Sequence, residues 1–202
     1  MTGKFITLEG IDGAGKSTHV PYVRELVEAR GAAGAIMTRE PGGTPLGERL
    51  RELLLHETMA PATEAMLMFA ARREHLEAVI WPALQRGAWV VCDRFTDATI
   101  AYQGGGRGIP LERLAALEAW THPGFQPDLT LLFDVPIEVG ALRMARHGDP
   151  DRFEREQSAF HGRVRAAYLA RAAADPGRFR IVDSTQPVDA VRARLRDVIG
   201  AL

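Results

Sequence analysis

Apolar residues along the chain fall into two kinds of run. Phe5–Glu9, Ala35–Thr38, Ala88–Asp93, Leu129–Val135 and Phe179–Val182 are short and nearly unbroken, as expected of parallel strands covered on both faces. Between them lie helix-period patterns at Lys16–Arg30, Pro45–His56, Thr63–Arg86, Leu111–Thr121 and Arg152–Ala174, with Val188–Ile199 closing the chain. Strand–helix alternation with right-handed crossovers predicts a three-layer α/β/α architecture around a five-stranded parallel sheet. Glu40–Gly47 and Gln103–Pro110 read as loops, and Arg143–Arg155 as a charged segment. No repeat or Pro/Ser-rich linker divides the chain, and 202 residues suit a single domain.

The first predicted strand runs directly into Gly10-Ile11-Asp12-Gly13-Ala14-Gly15-Lys16-Ser17. This matches G-x-x-x-x-G-K-[ST], and its strand–loop–helix setting is the context the motif requires. Glycines let successive backbone N–H groups face one centre, and the following helix adds the positive end of its dipole. Lys16 is then placed to reach the β- and γ-phosphates of a nucleotide, and the Ser17 hydroxyl to bind Mg²⁺. A P-loop kinase fold follows as an expectation. The chain contains no asparagine, so it lacks the N-K-x-D element of switch GTPases, and ATP is the expected donor.

Composition narrows the partners. The formal net charge is −1, which gives no global attraction to nucleic acid or anionic membrane. No run is long enough to span a bilayer, and MTGKFITLEG enters a strand at once without the features of a leader. Cys92 is the only cysteine, so no disulfide framework exists within the chain, in keeping with a reducing cytoplasm. Lys4 and Lys16 are the only lysines, and one of them falls inside the motif.

Three local signals bear on the acceptor. Asp93-Arg94-Phe95 follows the third strand, where a carboxylate facing the phosphate loop can hold a metal-bound water and an arginine can fork two phosphate oxygens. Thr38-Arg39-Glu40-Pro41-Gly42-Gly43 makes a sharp charged turn at the sheet edge where ligands bind in open α/β folds. Phe69 shares a helical face with Arg72 or Arg73, a pairing that can stack on a base and reach a carbonyl at its edge. These signals leave open another small-molecule kinase, such as one acting on adenylate, or an ATPase module.

With the phosphate loop and the Thr38–Gly43 and Asp93–Phe95 segments in place, Ala101-Tyr102-Gln103-Gly104-Gly105-Gly106-Arg107-Gly108 adds a further match. Together they make the chain resemble bacterial thymidylate kinases over essentially its whole length. Pro127-Asp128-Leu129-Thr130, Asp151-Arg152-Phe153-Glu154 and Asp183-Ser184-Thr185-Gln186-Pro187 agree in order and spacing. The resemblance implies transfer of the γ-phosphoryl of ATP to dTMP with Mg²⁺, by a cytoplasmic homodimer, with Thr63–Arg86 a candidate interface helix.

It also implies roles for particular residues. Residues 10–18, Thr18 included, would cradle the donor phosphates, with Asp183 and Gln186 bordering the adenine. Asp12 would accept from the sugar 3′-hydroxyl. Arg94 and Arg51 would grip the acceptor phosphate, within an acceptor region of about residues 38–73 that includes Glu40 and Pro41. Phe69 would stack on thymine, Arg72 would reach its O4, and Thr99 and Gln103 would hydrogen-bond the base. Tyr102 would crowd the sugar 2′ position. Ser17 and Asp93 would serve Mg²⁺, largely through water and phosphates.

Gly13 stands where another type of loop carries arginine. A lid at about residues 140–156 would supply that cation from Arg143, Arg146 or Arg152. Three departures accompany this transfer. The usual Phe-x-x-x-Arg spacing is met here only by Phe69 and Arg73, so either Arg72 or Arg73 remains open as the contact. Ala98 replaces a frequent serine, and His147 a frequent lid arginine.

Overall fold

The computed structural model describes residues 3–30, 33–145 and 151–202. Its sheet contains β1 (Phe5–Glu9), β2 (Ala35–Arg39), β3 (Trp89–Asp93), β4 (Leu129–Asp134) and β5 (Phe179–Asp183) in the order β2-β3-β1-β4-β5, every pairing parallel. The central strand β1 is buried along its whole length, its polar Thr7 and Glu9 included, as expected of a parallel strand covered on both faces; Thr7 meets the hydroxyl of Thr130 at 2.9 Å. Successive side chains still point to opposite faces. Ile6 and Leu8 pack in a core with Val23 and Val27 of α1 (Lys16–Glu28) and Val191 and Leu195 of α9 (Val188–Gly200). Phe5 joins Cys92, Leu76 and Ile80 in a second core. These cores make the three layers.

The register sets the site. Leu8 lies opposite Asp93, so the chain leaving β1 emerges beside the chain leaving β3. α2 (Pro45–His56) is capped by Thr44, whose hydroxyl accepts from the Gly47 amide at 2.9 Å. α3 (Pro61–His75) continues through a π-helical stretch at Leu76–Ile80 into α4 (Trp81–Gln85). That widening precedes Pro82, whose ring cannot accept a close carbonyl four residues back.

Three segments differ from the sequence expectation. The stretch from Gln103 is helical as far as Gly106: α5 (Thr96–Thr99) continues as a π-helix over Ile100–Gly106 before α6 (Leu111–Thr121). Its glycines serve close packing, because a Cβ on Gly105 would lie 2.7 Å from Ala167 and one on Gly106 2.5 Å from Phe160. A helix not expected from the sequence, α7 (Ile137–Met144), precedes most of the charged segment and takes in its first residues, Arg143 and Met144. The helix expected from Arg152 begins at Ser158, as α8 (Ser158–Ala174). Ahead of it the Asp151 carboxylate accepts from the amides of Phe153 and Glu154 at 2.8 and 3.0 Å, a local bond that competes with helix. Among the described residues no helix is long and apolar enough to cross a membrane.

Candidate active site

The loop between β1 and α1 owes its shape to three glycines in left-handed conformation, with φ of 139° at Gly10, 74° at Gly13 and 87° at Gly15. Side chains at these positions would strain the backbone. Gly13 has a second reason to be bare: a Cβ there would meet the carbonyl oxygen of Gly140 at 2.2 Å. Helix α7 therefore rests on the loop. Ile11 and Ala14 are buried and anchor the loop to the core, while Ser17 and Thr18 face outward from the first turn of α1.

Lys16 is largely buried, its Nζ 3.3 Å from the carbonyl of Gly10 and 4.0 Å from Asp93 Oδ1. Desolvation, then the nearby Arg94 charge, pushes its amine below the usual lysine range. Asp93 Oδ1 is buried and has no hydrogen-bond partner among the described residues. Arg143, on α7, donates to the carbonyls of Gly13 at 3.4 Å and Ser184 at 2.9 Å. It thus joins the loop to the turn at 183–187, whose exposed Asp183 accepts from Thr185 and Gln186.

Arg94 occupies a left-handed backbone position, φ 70°, a strained state for a side-chain-bearing residue and one that clusters at functional sites. Its guanidinium donates to the Gly10 carbonyl at 3.0 Å, to Tyr168 at 3.2 Å and to Asp12. Tyr168 in turn donates to Glu9 at 2.8 Å. Asp12 also accepts from the Tyr102 hydroxyl at 2.7 Å. Burial would raise the Asp12 carboxyl, but the Arg94 and Lys16 charges outweigh it and hold it below the usual range.

Beyond Arg94 opens a pocket. Asp12, Arg51, Arg94 and Tyr102 line one part of it, and Glu40, Pro41, Arg72, Thr99 and Gln103 another. Arg51 donates to the Pro41 carbonyl at 3.0 Å. Desolvation, Arg39 and Arg94 lower its pKa, and an anion shared by Arg51 and Arg94 would relieve that repulsion. Arg72 is 2% exposed, held by Glu40 at 2.7 Å and Thr99 at 2.9 Å. It lies between the Phe69 and Phe95 rings, 4.9 Å from each. Its remaining nitrogen, Nη1, is buried without a hydrogen-bond partner among the described residues. Both Glu40 oxygens are taken, by Arg72 and by His75 at 3.1 Å, so Glu40 bears on a ligand through Arg72. Burial pushes its carboxyl up, and those two partners bring it below the usual range.

The structure corrects one residue and separates several others. Phe69, expected to stack on the base, is 3% exposed and packs with Ala65, Ile100 and Leu114 behind Arg72. Met68 lines the pocket in its place. A helix turns about 100° per residue, so the i, i+4 partner of Arg72 is Met68. Arg73 points elsewhere, to the Thr121 carbonyl at 2.8 Å and the Trp81 ring, leaving Arg72 as the pocket arginine. Arg152 is not brought to the phosphate loop. It donates to the Leu54 carbonyl at 2.8 Å and pairs with Glu64 at 2.6 Å. Arg146 and His147 lie outside the described residues. Sequence reasoning missed Met68, Glu64 and Tyr168; for Met68 the signal was its four-residue spacing from Arg72.

The sequence model of the thymidylate kinase family matches residues 8–195. The chain belongs to the thymidylate kinase family. The thymidylate kinase of Methylobacillus flagellatus is 61% identical over 199 residues, 98% of either chain. That of Cupriavidus metallidurans is 61% identical over the full length of both. A crystal structure of thymidylate kinase from Ehrlichia chaffeensis superposes with a TM-score of 0.80 at 33% identity, covering 99% of each chain. Membership of the thymidylate kinase family makes the chain a phosphotransferase, and the superposition supports the α/β kinase fold.

Proposed function

We propose that the chain transfers the γ-phosphoryl group of ATP to thymidine monophosphate, giving the diphosphate and ADP. The observation that carries this reading is Arg94. One guanidinium bonds the phosphate loop at Gly10 and Asp12 and also lines the adjoining pocket. A cation therefore stands between a donor anion and an acceptor anion. On the far side of that pocket, the free donor of Arg72 suits a base carbonyl.

The acceptor oxygen is already ionised, so the protein's part is alignment and charge neutralisation. Residues 10–18 hold the donor phosphates through backbone amides, and Lys16 follows the charge as it develops. Arg143 supplies the second donor-side cation from α7. Arg51 and Arg94 hold the acceptor phosphate, and Asp12 fixes Arg94 while facing the sugar. Tyr102, pinned by Asp12, walls the 2′ position, and Met68 offers a flat thioether contact to the base. The unpartnered Asp93 oxygen and the outward Ser17 hydroxyl fit a magnesium ion, hard oxygen donors being what that cation takes. Bound with nucleotide, it neutralises charge on the phosphate oxygens.

The enzyme is proposed to work in the cytoplasm, consistent with its lone, buried Cys92, and as a homodimer. Helices α2 and α3 leave Leu53 and Met66 about half exposed, at 46% and 53%, and a second copy would cover them. Product identification after mixing ATP, Mg²⁺ and the common nucleoside monophosphates tests the reading. TMP should be consumed first, dUMP more slowly and purine monophosphates very poorly. Preference for adenylate, or ADP release at full rate without acceptor, would overturn it.

A further inference from the structure

Glu64 lies on α3, fully buried. One of its oxygens accepts from Nε2 of Gln103 at 2.8 Å and lies 3.4 Å from Arg107 Nε. The other lies 2.6 Å from Arg152. A carboxylate paired with two guanidinium groups only accepts hydrogen bonds. The amide of Gln103 must therefore turn its NH₂ toward Glu64. Its carbonyl oxygen makes no hydrogen bond to the described residues, and Gln103 lines the acceptor pocket. One helical turn earlier, Thr99 holds Nη2 of Arg72 at 2.9 Å, and Arg72, whose Nη1 has no partner among the described residues, lines the same pocket as Gln103.

We propose that Glu64 is a positioning residue for base selection: it locks the Gln103 amide so that the pocket presents a donor, Arg72, beside an acceptor, the Gln103 carbonyl. This rests on the thymidylate reading above and explains how that site rejects cytosine. Thymine and uracil offer the complementary pair, O4 as acceptor and N3–H as donor. Cytosine inverts both, placing an amino group against a guanidinium and a bare ring nitrogen against a carbonyl oxygen. Guanine has the matching polarity and must be excluded by size.

Replacing Glu64 with glutamine keeps the shape and frees the Gln103 amide to turn over. Specificity constants for TMP, dUMP and dCMP are to be measured on wild type and Glu64→Gln. The TMP-to-dCMP ratio is expected to fall by about tenfold or more, because a mispaired polar edge is what the site discriminates against. The TMP-to-dUMP ratio should stay within about twofold, since both bases share that edge. A merely structural loss would lower all three constants together and leave both ratios alone, which would overturn the proposal. The exchange Glu64→Gln with Gln103→Glu keeps one carboxylate among the arginines and again leaves an acceptor facing the base. It should restore discrimination against dCMP, and a folded double variant lacking it also overturns the proposal. A wild-type enzyme without preference for TMP over dCMP would instead remove the thymidylate reading itself.

Discussion

The phosphate loop and the acceptor pocket recognise charge in opposite ways. The loop is one contiguous stretch, and its working atoms are mostly backbone amides, set by three glycines with positive φ. The pocket draws on the turn after β2, helices α2, α3 and α5, and the segment at Asp151–Phe153. Its side chains are held by bonds between elements: Glu40 and Thr99 on Arg72, Asp12 and Tyr168 on Arg94, Glu64 on Gln103. A phosphate is a diffuse anion that any ring of N–H groups can hold. A base edge demands fixed polarity atom by atom, which flexible side chains deliver only when other buried groups restrain them.

The largest effect should come from the loop. Lys16→Ala is expected to lower kcat by about 10²–10³-fold, the scale of a lost transition-state clamp. Near wild-type turnover in a folded variant would break the donor assignment. The two arginines of the charged segment sharpen the contrast further. Arg143→Ala should reduce kcat by about 10²-fold with little change in KM for TMP, because its contacts are to the loop side. Arg152→Ala should act chiefly on KM for TMP and on melting temperature, through α2 and Glu64. Equal kcat losses in both variants would place both on the donor side.

Within the pocket, two adjacent residues should part company. Phe69→Ala removes a buried ring behind Arg72 and should cost roughly 3–5 kcal/mol of stability, read by chemical denaturation. Met68→Ala, at a partly buried position on the pocket wall, should cost less stability than Phe69→Ala, about 1–2 kcal/mol, and raise KM for TMP several-fold. The reverse pattern would return the base platform to Phe69.

The smallest expected effect concerns Glu9. Burial, then the Asp97 charge, raises its pKa to about 8, while Arg94, the Tyr168 bond and the Phe95 amide oppose the shift. The folded state then holds this proton more tightly than the unfolded chain does. Glu9 therefore adds stability below the ordinary carboxylate range and loses it as pH rises toward about 8. Glu9→Gln should flatten that decline in denaturant titrations between pH 5 and 8 by up to about one proton's worth of slope. An unchanged slope would show that Glu9 does not titrate there.

The strands β1, β3 and β4 were legible because buried strands read as largely apolar runs. The edge strands β2 and β5 were legible because short apolar runs recur between helix-period patterns, and the phosphate loop because its conformation depends on glycines at fixed spacing. The π-helix at Ile100–Gly106 was not. Three consecutive glycines read as a turn until α8 is seen packed against Gly105 and Gly106. Nor does spacing alone separate Phe69 from Met68 or Arg72 from Arg73. A helix face is identified only by what lies against it, and here Ile100 and Leu114 claim Phe69 while the Thr121 carbonyl claims Arg73.

The sequence by itself determined the loop, the sheet and the chemical inventory of the site, because these follow from local conformational preference and hydrophobic period. The tertiary structure alone decided which arginine faces the acceptor, which side of Gln103 is offered and where Arg152 is anchored. Those choices are made by groups distant in sequence, Glu40 on Arg72, Glu64 on Gln103 and the Leu54 carbonyl on Arg152, whose buried polar atoms must find partners when the core closes.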